Sequence, residues 1–158
     1  MTGTGSRPRM LDVVVYGGLA GGLLDILNAT TFWYLYNGAP PGVILQAIAA
    51  GLLGKDAFAG GAGTAALGLF LHFFIACGMA AVYWLACLRS PHLLRRPVVS
   101  GTAYGIVTYL AMTYVVVPLS RATSPPFILS WFIDSVLAHV VLVGLLLAFV
   151  ARWSANRR

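Results

Sequence analysis

The 158 residues leave room for one domain, and with 59% hydrophobic against 9% charged they exclude an ordinary soluble fold dressed in ion pairs. Glutamate is absent and Lys55 is the single lysine, so glutamate-dependent catalysis is excluded as well, and no enzyme is expected. The formal charge of +6 comes from arginines in short clusters beside apolar runs, without the basic, aromatic-interleaved face that a nucleic-acid partner requires.

The amino tail, 1–10, carries Arg7 and Arg9 ahead of an apolar run, as a signal peptide does; Asp12, Asp25 and the length of the run predict a retained helix instead. A spanning helix needs roughly 20 mostly apolar residues, and 11–36, 63–88, 98–117 and 127–151 meet that requirement. Between the first two, Pro40-Pro41-Gly42 leads into 43–53, which is apolar but about half the spanning length. It is predicted as a short interfacial or re-entrant helix, started by Pro41 and stopped near Gly54. Residues 153–158 form a basic tail. The expected fold is an all-α membrane protein, a bundle of four transmembrane helices with the short helix between helices one and two.

Basic residues set the expected orientation. Arg7 and Arg9, then Arg89, Arg95 and Arg96, then Arg152, Arg157 and Arg158 flank one side, whereas the other has Lys55 and Arg121. The positive-inside rule places both termini in the cytoplasm of a bacterial inner membrane. Trp33, Tyr34, Tyr36 and Trp131 near the outer ends, and Trp84 and Trp153 near the inner ends, fit interfacial belts. A duplication is also legible: Gly18-x-Ala20-x-Gly22 recurs as Gly101-x-Ala103-x-Gly105, each followed by a Pro-Pro pair (Pro40-Pro41, Pro125-Pro126) and a histidine-bearing helix. The competing explanation is chance, because Gly and Ala are common in such helices.

Ionisable and polar groups within a bilayer normally face the bundle interior, which singles out Asp25, Asn28, His72, Asp134, Ser135 and His139. At about 1.5 Å per residue, Asp25, His72, Asp134 and His139 lie roughly 17, 14, 11 and 18 Å below the outer ends of their helices. Gly17, Gly21, Asp25 and Asn28 share a face of helix one, and Gly68, His72, Ala76 and Ala80 a face of helix two. Asp134 and His139 diverge by about 140°. Tyr104 and Thr108 on helix three offer hydroxyls at similar depth. Two readings follow: a polar layer that binds or relays protons or a small solute, or interhelical hydrogen bonds that only fix packing. His72 and His139 on separate helices also raise a haem b held by two imidazoles, although no attachment motif is present. Otherwise no cofactor is expected. Cys77 and Cys87 lie ten residues apart on one helix, about 15 Å, too far to bridge or to pair as metal ligands, and no metal is expected. A further alternative is an assembly subunit whose small-residue faces pack against a second copy or a partner membrane protein, with lipid around the rest.

The run Gly68-Leu69-Phe70-Leu71-His72-Phe73-Phe74-Ile75-Ala76, the basic loop, Gly101…Gly105, Val117-Pro118-Leu119 and His139 together resemble the YagU-like family of bacterial inner-membrane proteins over roughly the last three helices. The resemblance implies localisation and architecture and points to His72 and His139, but no reaction. Residues 44–54 depart from the family pattern, which has a longer, different outer segment there.

Overall fold

The computed structural model describes residues 7–123 and 126–157; the start of the amino tail, Pro125 of the second Pro-Pro pair and Arg158 lie outside the described residues. Among the described residues there is no strand. In chain order the helices are α1 (Leu11–Asn37), α2 (Pro41–Leu53), α3 (Gly61–Arg89), the single turn α4 (His92–Arg95), α5 (Pro97–Leu119) and α6 (Leu129–Asn156). Pro41 and Pro97 open α2 and α5, where the missing N–H has no helical partner to lose. Gly38, at φ 75°, ends α1 with its N–H donated to the Tyr34 carbonyl at 2.9 Å. Three helices contain a wider π turn: Leu11–Gly17 in α1, Met112–Val116 in α5 and His139–Leu145 in α6.

Among the described residues five helical segments are long and apolar enough to cross a membrane, one more than expected. The addition is Pro41–Ala59, 19 residues with a mean hydropathy of 1.4. Here the expected boundaries were too narrow. The helix begins at Pro41, and Gly54, at φ 65°, breaks α geometry without ending the coil, which tightens into a 3-10 stretch over Gly54–Ala59. Length alone therefore does not separate this segment from the other four.

Its contacts describe where it runs. Trp84 Nε1 donates to the Pro8 carbonyl at 2.9 Å, and Gly18 and Gly22 lie against Cys77 and Ala76, so α3 is antiparallel to α1. The Tyr83 and Ser100 hydroxyls meet at 3.0 Å and Tyr104 donates to the Met79 carbonyl at 2.6 Å, so α5 returns antiparallel to α3. Gly101 faces Gly144 and Gly105 faces His139, which makes α6 antiparallel to α5. Pro41 sits beside Thr30 and Leu35 near the end of α1; Leu45 crosses α3 at Gly68; and Gly51 accepts the Arg121 N–H at 2.9 Å, just beyond α5. Arg9, α4 and Arg152 share one end of the bundle with the start of α1, while Lys55 and Arg121 lie at the other.

Packing follows the small residues. Gly18 and Gly22 admit α3, whereas Gly17 and Gly21, a quarter-turn round, admit Leu147 and the Leu142 carbonyl of α6. α5 and α6 approach closely, since a Cβ at Gly105 would lie 2.5 Å from both the His139 carbonyl oxygen and Val140 Cα, and α2 comes closer still to α3 where the Leu45 carbonyl lies against Gly68. The buried cluster is correspondingly small-sided: Val13, Ala80, Tyr83, Cys87, Leu147, Ala148 and Ala151. Large apolar side chains are outside instead, with Phe70 and Phe74 of α3 exposed by 65% and 68%. In water such a surface would be untenable; against lipid it costs nothing.

Candidate functional site

Four long helices and α2 line a partly open cavity of about 150 Å³. Gly22 and Asp25 come from α1, His72, Ile75, Ala76 and Met79 from α3, Met112 from α5, His139 and Val143 from α6, and Ile48 closes the wall from α2. Asp25, His72 and His139, placed at similar depth by counting along their helices, therefore border one space.

Each imidazole is held by one nitrogen. His72 Nε2 lies 2.7 Å from the Gly22 carbonyl oxygen and His139 Nδ1 lies 2.9 Å from the Ser135 carbonyl oxygen. Carbonyls only accept, so each of those nitrogens carries the proton, and in a neutral ring His72 Nδ1 and His139 Nε2 keep their lone pairs. His72 Nε2 is also 4.0 Å from Asp25 Oδ2, close enough for an ion pair when the ring is protonated. The two side chains are 13% and 24% exposed, so solvent screening there is weak. Tyr109 meets the His139 ring edge-on with centroids 5.6 Å apart and fixes its plane. His139 also opens the π turn of α6, as Met112 opens that of α5.

The other predicted residues go elsewhere. Asn28 Nδ2 donates to Asp134 Oδ2 at 2.8 Å, joining α1 to α6 outside the cavity. Asp25 thus leaves the stripe it was expected to share with Gly17, Gly21 and Asn28: those face α6, and it faces α3. Thr108 spends its hydroxyl on the Tyr104 and Gly105 carbonyls one turn back, and Tyr104 spends its own on Met79. Ser135 Oγ is buried with no hydrogen-bond partner among the described residues. At about 150 Å³ the cavity is half the roughly 300 Å³ at which pockets for organic ligands begin.

Sequence reasoning passed over Met79, Met112 and Ile48. Met79 was within reach, since seven residues from His72 is two helical turns and the same face. It also passed over Asp12, which is 3% exposed and accepts the Ser154 hydroxyl at 2.7 Å, while Ser154 accepts the Arg9 N–H at 2.8 Å. This cluster clasps the first turn of α1 to the end of α6.

No protein-family model matches the chain, nor does any curated protein or solved structure. The functional reading therefore comes from the site.

Proposed function

We propose that the chain is a multi-pass inner-membrane protein with four crossing helices, α1, α3, α5 and α6, and α2 as a re-entrant segment that enters and leaves on the outer side. The antiparallel order of the four, and the Gly51 contact with Arg121 beyond α5, support this reading over five crossings. Arginines gathered at the end that holds Arg9, α4 and Arg152 support cytoplasmic termini.

The proposed role is to bind or pass a proton or a small polar solute at the cavity. One observation carries it: a carboxylate and two imidazoles from three helices border one cavity. Intramembrane ionisable groups are expensive to keep, and a packing role requires only that they bond one another. Asn28 and Asp134 do so, and for that pair interhelical packing is the better-supported reading. Asp25 and His72 stand 4.0 Å apart, and His139 borders the same cavity from α6.

Proton flux into proteoliposomes, followed with an entrapped pH-sensitive dye, tests the proposal. His72→Phe and Asp25→Asn should each reduce the flux at least tenfold while elution and helical content stay unchanged. Unchanged flux with a lowered melting temperature in detergent would reduce the layer to packing.

A further inference from the structure

The chain has three histidines and four methionines, and two of each, His72, His139, Met79 and Met112, border the same small cavity. Thioether sulfur and imidazole nitrogen are the neutral donors that select soft, low-charge metal ions. Resting on the reading of this cavity as the functional site, we propose that its solute is a soft monovalent cation of the Cu(I) class, held by the Met79 and Met112 sulfurs and the imidazoles of His72 and His139, with Asp25 as counter-charge.

Three features support the assignment. Each histidine donates one ring N–H to a backbone carbonyl, Gly22 or Ser135, which fixes the tautomer and leaves the other nitrogen a lone pair; metal-binding histidines are oriented in the same way. Charge is the second. Taking an ion into a bilayer is least costly when the site ends neutral, and one carboxylate balances one positive charge but leaves a divalent ion half-compensated. The third is donor geometry. Among the described residues no group of three His, Cys, Asp or Glu side chains could hold a metal ion, so the two imidazoles and Asp25 do not make a site by themselves. The long, flexible thioethers supply the missing donors, and Met112 and His139, each at the first position of a π turn, sit where such turns most often serve function.

Silver(I) is a redox-stable probe for Cu(I). Full-length protein carrying Cys77→Ala and Cys87→Ala, which removes competing thiols, is dialysed against Ag(I) in detergent and bound metal is counted by mass spectrometry. One Ag(I) per chain is expected, with affinity at least tenfold weaker in Met79→Leu/Met112→Leu, a nearly isosteric change. Zn(II) in equal amount should not displace it. In a second measurement that needs no cavity substitution, ¹³C-methyl-methionine spectra should show Ag(I) shifting the Met79 and Met112 signals. Absence of saturable binding, equal affinity in the folded double leucine variant, or shifts confined to exposed Met10 would each overturn the proposal. Proton flux that depends on His72 without Ag(I) binding would sink the metal assignment and leave the cavity's role standing. Ag(I) binding at Met79 and Met112 with flux indifferent to His72 and Asp25 would keep the metal site and remove the proton pathway.

Discussion

His72 crosses from α3 to hydrogen-bond the Gly22 carbonyl of α1 at 2.7 Å, and the glycine makes the reach feasible. A Cβ at Gly22 would sit 3.0 Å from Ala76 Cβ and from the Phe73 ring, so a larger residue there separates the two helices and draws the imidazole away from its acceptor. Gly22→Val should therefore weaken whatever the cavity does, by the same measure as His72→Phe. Flux or Ag(I) affinity that survives Gly22→Val would show that the hydrogen bond does not organise the site.

The α5–α6 crossing should tolerate little added volume. Gly105→Ala places a methyl 2.5 Å from backbone atoms of His139 and Val140, which cannot swing aside as a side chain can. A loss of about 1–3 kcal/mol is expected. Gly78→Ala, with nothing within 4 Å of the added carbon, is the matched control and should leave stability unchanged. Thermal unfolding in detergent, compared between the two variants, checks the contrast.

Two buried serines should respond in opposite directions. Ser154 bridges the Arg9 N–H and the Asp12 carboxylate, so Ser154→Ala leaves both short of a partner and should cost about 1–3 kcal/mol. Ser135→Ala removes a buried hydroxyl that has no partner and should be neutral or slightly stabilising. Equal losses at both positions would contradict the hydrogen-bond assignment.

Asn28 and Asp134 supply the direct polar link between α1 and α6 near the outer end. A double-mutant cycle with Asn28→Ala and Asp134→Ala should return a coupling of about 0.6–1.7 kcal/mol, the range for interhelical bonds in membranes. Additive effects would mean that the pair is hydrated independently.

Topology is testable in intact cells. In the background lacking Cys77 and Cys87, cysteines introduced at the exposed positions His92 and Asn156 should resist an impermeant maleimide, and those at Ala59 and Thr123 should react. Labelling at His92 would overturn the proposed orientation.

Much of this arrangement was legible because lipid imposes a simple grammar: long apolar runs flanked by arginine clusters mark the four long helices to within about five residues. Depth was legible too, since a straight helix converts residue count into height, and counting placed Asp25, His72 and His139 in one layer. Rotation was not. A stripe of small residues says that a neighbour is close but not which one, and Gly17 and Gly18, adjacent in sequence, face different helices. The π turns of α5 and α6 further shift the register that a constant 3.6-residue period assumes, so the side-chain directions of Met112 and His139 could not be counted. Asp12 was read only as a mark of a retained helix because its partner, Ser154, is 142 residues away.

The contact between Gly51 and Arg121 bears on how the molecule is assembled. In hydrocarbon a backbone carbonyl without a donor is heavily disfavoured, and the donors to Gly51 and Leu52 come from Arg121, 69 residues beyond Leu52. α2 leaves the ribosome second, yet its far end is not satisfied by protein until α5 has emerged. Until then water must stand in for Arg121 at those carbonyls, and the cavity that Ile48 walls is completed only when α5 and α6 arrive.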